Sequence, residues 1–189
     1  MKRVPRGGRG SMPLCVSLLV SLLLLTGSVV SAQAPPKANR AAAEQLTLSL
    51  MALHAQHQAA PPEGKAALLL QLRSVAAKRQ QVLSALIQTS PGEVLRVAIP
   101  AEVRSTMPDA ARNLVEQHVK LQGKVEVAIE DGRDYSRIHY GLVVAGQRLE
   151  LHFAGNAPTN WLTDMTAQVS GVQVGNQIAL TLSDTTVVE

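Results

Sequence analysis

Two histidine pairs carry the chemistry that this chain has within reach. His54 and His57 stand three apart in a stretch of helical period, and imidazoles at that spacing lie on nearly one helix face, where they can share a metal ion. A metallopeptidase helix needs its histidines four apart with a glutamate beside the first; here Ala55 and Gln56 intervene and no third ligand is evident. The expectation is a helix-surface or interface pair without metal. His139 and His152 fall on the polar faces of two neighbouring strand patterns, with Arg137, Arg148 and Glu150 nearby in the pattern. An imidazole beside a carboxylate suits general-base work, but no nucleophile with a defining context accompanies it. There is no Gly-x-Ser-x-Gly, no supported Ser-x-x-Lys, and no Gly-x-Gly-x-x-Gly ahead of a helix to cradle a phosphate. The expectation is a solvated strand face, no enzyme and no cofactor.

The elements that position these residues follow an export signal. Lys2, Arg3, Arg6 and Arg9 precede an apolar or small-residue run from Leu14 to Val30, centred on Leu18, Leu19 and Leu22 to Leu25. A basic start, a leucine core and the small residues of Val30-Ser31-Ala32 predict a signal peptide over residues 1–32, cut before Gln33 or, as second choice, before Pro35. Ser17, Ser21 and Thr26 dilute a run already short for a span of about 20 apolar residues. The membrane is then a transient partner, met only through the signal peptide. Cys15, the one cysteine, begins the apolar core where a lipidated cysteine would end it. The mature chain therefore has no disulfide and must bury a core.

Four of the 18 Lys+Arg lie in the signal and all 14 Asp+Glu beyond it, so the mature chain is formally neutral. Between Val119 and Glu150 five basic and five acidic residues alternate in no single-sign stripe, and Tyr135, Tyr140, Phe153 and Trp161 are the only aromatics in the chain. A single-strand binder needs stacking rings on a positive groove, so nucleic acid is not an expected partner.

Residues 33–43 read as a flexible lead-in and residues 44–118 as a helical region with a connector. Leu46, Leu50, Leu53 and His57 mark one face of a first helix, Glu44 to Gln58, which Pro61-Pro62 breaks. Leu68, Leu72, Val75, Leu83 and Ile87 stripe a second, Glu63 to Gln88, folding back as a hairpin. Such a stripe cannot offset its ordering cost alone; it must meet the first helix, the β region or another chain. Ser90-Pro91-Gly92-Glu93 predicts a capping box, and Asp109 to His118 one more helix.

From Val119 the period becomes two. Strands over Val119–Glu130, Tyr135–Val144, Arg148–Phe153, Met165–Val172 and Ile178–Leu182 are joined by turns at Asp131-Gly132, Ala145-Gly146 and Gly175-Asn176. Five short strands over residues 119–185 predict a small antiparallel OB-like β-barrel, which closes its own edges. The fold class is α+β: helical hairpin, short connector helices, then barrel. Trp161, in the polar loop after the third strand, either caps the barrel end or marks a binding surface. With Leu68, Leu72, Val75 and Leu83 it completes the candidate partner-binding set.

The runs Arg148-Leu-Glu-Leu-His-Phe-Ala-Gly155, Asn156-Ala-Pro158 and Val169-Ser-Gly-Val-Gln-Val-Gly-Asn-Gln-Ile-Ala-Leu180, with the connector Pro91 to Arg104 before them, resemble the N-terminal, non-catalytic region of bacterial secreted zinc metallopeptidases of the gametolysin type. The similarity covers roughly residues 65–183 and carries no functional residue to transfer. The chain reaches Glu189 with no His-Glu-x-x-His. The resemblance thus implies a pro-region-like leader module without its protease, periplasmic or secreted from a bacterium, whose partner is a protein such as a secreted protease. The other reading is an exported barrel holding a small or oligomeric ligand, such as a glycan, around Asn156 to Trp161.

Overall fold

A computed structural model describes residues 36–188; the expected signal peptide over 1–32, its cleavage sites and Cys15 lie outside the described residues. The order is α1 (Pro36–Ala59), α2 (Pro62–Thr89), α3 (Pro91–Val97), α4 (Ala101–Ser105), α5 (Asp109–Arg112), β1 (Gln117–Asp131), β2 (Ser136–Val144), β3 (Gln147–Phe153), β4 (Thr166–Val174), β5 (Gln177–Leu180), a 3-10 turn (Leu182–Asp184) and β6 (Thr185–Val188). The α+β class stands, with five helices and a six-stranded sheet among the described residues. Among the described residues no helix is long and apolar enough to cross a membrane.

The helical hairpin forms as read, but α1 begins at Pro36, inside the segment expected to be flexible. Alanines at 41–43 favour the helix, Ala43 is fully buried, and Arg40 and Glu44 reach the charges of α3: Arg40 lies 3.3 Å from Glu93, and Arg96 3.5 Å from Glu44. Helix α2 starts with Pro62 at its first turn, where no amide partner is needed. Ser90 caps α3 without a side-chain hydrogen bond, so the predicted capping box is not made; Glu93 pairs with Arg96 and Arg40 instead. The helix expected over Asp109–His118 stops at Arg112. Val115 and Glu116 are buried, and Gln117 and His118 already pair with Gln173 and Val172 of β4.

The sheet is mixed, not antiparallel as expected: β3 and β5 run parallel, from Glu150 opposite Gln177 to Phe153 opposite Leu180. All other pairings are antiparallel. The long β1 changes partner along its length, pairing β4 from Gln117 to Lys124 and β2 from Lys124 to Asp131. The order β1-β2-β3-β5-β4 therefore returns to β1 as a ring, and β6 adds to β4 as a sixth strand. Gly123 sits where β1 changes partner; a Cβ there would lie 2.4 Å from the Val143 carbonyl oxygen. The turns at Ala145-Gly146 and Gly175-Asn176 are as predicted, whereas the β1–β2 connection takes four residues, 132–135, held by the Gly132 amide donating to the Tyr135 carbonyl at 2.8 Å.

The core has three parts. Val125, Leu142, Leu151, Ala167, Val169 and Ile178 fill the interior of the ring. Leu83, Leu86 and Ile87 of α2 and Val94 and Val97 of α3 pack on Val172, Val174 and Ala179, the outward phase of β4 and β5. Leu50, Leu72, Ala76, Met107, Ala111 and Val115 join the hairpin to the connector. The stripe on α2 thus meets both the first helix and the sheet of its own chain, and the described residues fall in one compact unit.

Candidate functional site

Helices α2 and α3 cover the outward phase of β4 and β5, and beside that cover, on β2 and β3, the residues read as a general-base face come together. Strand period sends Arg137 and His139 of β2 outward with Arg148, Glu150 and His152 of β3. Tyr140 pairs with Leu151 and Gly141 with Glu150. Gly141 has no side chain to occupy this face; a Cβ there would lie 3.1 Å from Arg148 Nε. The Arg148 guanidinium crosses the gap and donates to Glu126 of β1 at 2.9 Å and to Glu150 at 3.4 Å.

These residues wall a groove of about 990 Å³. Its far wall is the corner between α2 and α3, at Ile87, Gln88, Thr89 and Pro91, and Gly155 and Ala157 of the β3–β4 connection close one end. Of the groove's two imidazoles His152 is the more buried, its side chain 21% exposed against 44% for His139. The His152 Nε2 stands 3.7 Å from Glu150, too far for a hydrogen bond, and has no hydrogen-bond partner among the described residues. Desolvation pushes the His152 pKa below the ordinary histidine value, partly opposed by the Glu150 carboxylate beside it. His139 is exposed and bonds Glu130 at 2.9 Å; Glu130 also accepts from the Tyr135 hydroxyl at 2.8 Å. That hydroxyl, followed by His139, holds the Glu130 pKa below the usual carboxylate range, and the same bond raises Tyr135.

Nucleophilic catalysis needs a hydroxyl or thiol within reach of a base. The groove's two hydroxyls are those of Thr89 and Tyr140, and each donates to a main-chain carbonyl: Thr89 to Leu86 at 3.4 Å, Tyr140 to Pro158 at 2.5 Å. Neither is bonded to an imidazole. The arrangement is suited to binding: fixed charges, an imidazole nitrogen without a hydrogen-bond partner among the described residues, and a far wall at which Gln88 and Thr89 are exposed.

The five side chains expected to meet a partner differ in burial. Leu72 and Leu83 are fully buried, Leu68 and Val75 are half-buried, and Trp161 is 6% exposed. With the stripe packed within the chain, Leu72, Leu83 and Trp161 present little surface in this structure. Trp161 instead closes the ring interior, in edge-to-face contact with Tyr140 at 6.1 Å and Phe153 at 5.8 Å between centroids. His54 turns inward and bonds the Thr106 hydroxyl at 3.0 Å, with Nδ1 lacking a hydrogen-bond partner among the described residues, while His57 stays half-buried. Among the described residues no group of three His, Cys, Asp or Glu side chains is placed to hold a metal.

Two features escaped the sequence reading. Arg79 lies in the α2 stripe and is wholly buried, although arginine is rarely a core residue. The groove's far wall comes from Ile87 to Pro91, residues with no polar pattern to mark them; only the turn signal of Ser90-Pro91 pointed to a corner there. No protein-family model matches the chain, and neither characterised proteins nor solved structures give a match.

Proposed function

We propose that this chain is an exported, non-enzymatic interaction module, similar to the pro-region of a secreted gametolysin-type peptidase, and that it binds a protein partner through the groove over β2 and β3. The strand order, with β1 shared between β2 and β4 and a parallel β3–β5 contact, supports reading the sheet as a small OB-like barrel. In such barrels the face of the second and third strands is a common ligand surface. One observation carries the choice of a protein partner. Beside the groove, Ile129 and its cross-strand partner Ile138 are 64% and 52% exposed, an apolar pair on a projecting ribbon with Tyr135 at its tip. Neighbouring exposed apolar side chains rimmed by charge suit a protein interface.

The second reading, a barrel that holds a glycan, has in its favour a groove of ligand size. Sugar binding benefits from an open aromatic face, however, and the rings at this groove, Tyr140 and Phe153, are engaged edge-to-face with each other at 5.5 Å. Titration of the purified chain with a separately expressed gametolysin-type catalytic domain tests the proposal. Saturable binding weakened by Arg148→Glu supports it; turnover of peptide, ester or glycoside substrates that disappears in His152→Ala would replace it with an enzyme.

A further inference from the structure

The groove is a gap between two strands that part company. The β2–β3 ladder runs from Val144 opposite Gln147 to Tyr140 opposite Leu151 and ends there. Continued in register, it would set His139 against His152 and Ile138 against Phe153. Instead β3 follows β5, with Phe153 opposite Leu180 and the Ala154 amide donating to the Leu180 carbonyl at 2.7 Å. Residues Ser136 to His139 stay paired to β1 on one edge, from Asp131 opposite Ser136 to Ala128 opposite His139. Among the described residues no strand pairs with their other edge, which borders the groove, and all four are exposed. A short strand edge facing a preformed slot is a template for one more strand.

Charge and period define what would fill it. On the outward phase the groove presents Arg137, His139, Arg148 and His152 against one carboxylate, Glu150. Glu150 is held by Arg148, and Glu126 and Glu130 just outside are taken by Arg148 and His139. Among the described residues no carboxylate lies within ion-pair distance of Arg137, which rests over the Tyr135 ring at 5.7 Å. On the opposite phase, Ile138 and Phe153 present apolar surface. Side chains of an added strand alternate between these two phases.

Building on the proposed protein-binding role, we infer that the β2 edge at Ser136–His139 accepts an extended segment of the partner by strand addition, and that this segment alternates acidic with apolar residues. Main-chain hydrogen bonds to the edge hold it, its carboxylates face Arg137 and the histidines, and its apolar residues cover Ile138 and Phe153.

The test is a titration of the isotopically labelled chain with the blocked peptide Gly-Val-Glu-Val-Glu-Val-Gly, followed by amide shifts and hydrogen exchange. The expected result is perturbation and slowed exchange at residues 136–139. Lys in place of both Glu should weaken binding about tenfold or more, as should Arg137→Glu in the chain, with Trp161 emission unchanged. Equal binding of the acidic and basic peptides, or no effect at 136–139 with millimolar peptide, would overturn the inference. So would perturbation of these amides by maltohexaose, or concentration-dependent protection without peptide, which would assign the edge to a glycan or to a second copy of this chain. The two proposals fail separately: a catalytic domain that binds with 136–139 unprotected leaves the interaction module standing and removes the strand-addition site.

Discussion

Arg79 of α2 and Glu116, just before β1, form an ion pair sealed from water, their side chains 1% and 0% exposed. Every remaining polar contact is internal. Arg79 also donates to the Val97 carbonyl and the Thr47 hydroxyl, both at 2.8 Å, and Glu116 accepts the Ile99 amide at 2.7 Å. One charge pair thus ties α1, α2, the end of α3 and the entry to the sheet. Removing one partner strands the other charge in the core, a loss of about 3–5 kcal/mol. Arg79→Ala and Glu116→Ala should each lower the unfolding free energy by that amount, whereas the double change Arg79→Met with Glu116→Leu should cost less than either. Urea unfolding of the three variants is the measurement, and equal additive losses would contradict the pairing.

His54 supplies a second expectation. Its pKa is lowered from 6.5, first by burial and then by His57. A histidine that resists protonation in the fold, but not in the unfolded chain, leaves stability unchanged above the unfolded value. Stability is then lost as pH falls through 6.5 towards the lower folded value, because the unfolded chain binds the extra proton. His152 acts in the same direction. The urea midpoint should hold steady above about pH 7 and decline by about pH 5, and His54→Gln should flatten part of that decline. Identical pH slopes for the two proteins would dismiss His54 as a contributor.

The architecture was legible where period and turn chemistry agree: the hairpin broken by Pro61-Pro62, the alternation of Val125, Val127 and Ile129, the tight turns at Gly146 and Gly175. How the helical region packs on the β region is something that period two cannot express. In β5 the residues Gln177, Ile178, Ala179 and Leu180 are all buried, because the ring interior takes one phase and the helices the other. The same double burial makes Val172 and Val174 of β4 partners of Leu83 and Leu86. The parallel β3–β5 contact is long-range and leaves no local mark. At the site, the pattern brought His139, His152, Arg148 and Glu150 into view; where β2 and β3 separate depends on β3 pairing with β5, and no residue type announces it.

Processing is tested directly. If Val30-Ser31-Ala32 is the cleavage site, N-terminal sequencing of exported protein begins at Gln33, with Pro35 as the alternative. Intact Met1 in the membrane fraction would exclude cleavage.

Trp161 is the chain's single tryptophan, so its fluorescence reports the ring interior without interference. Packed against Tyr140 and Phe153, it should emit at short wavelength in the native state and shift red on unfolding. Trp161→Ala should cost about 3–5 kcal/mol by opening a cavity, and Tyr140→Phe about 1 kcal/mol by leaving the Pro158 carbonyl without its donor. A native spectrum like that of exposed indole would refute this packing.

The shared core sets the last expectation. Leu83 is fully buried against the outward phase of the sheet, while Leu70, on the same helix, is 66% exposed. If helices and sheet are one cooperative body, far-UV circular dichroism and Trp161 emission should follow a single coincident denaturant transition. Leu83→Asp places a charge between α2 and β4–β5 and should collapse both signals together, because Val172, Val174 and Ala179 lose their cover along with the helix. Leu70→Asp, meeting only solvent, should change stability by no more than about 0.5 kcal/mol. Two separate transitions, or a Leu83→Asp chain that keeps native Trp161 emission while losing helix, would mean that the ring stands without the hairpin. The helices would then be an appendage free to seek a partner of their own.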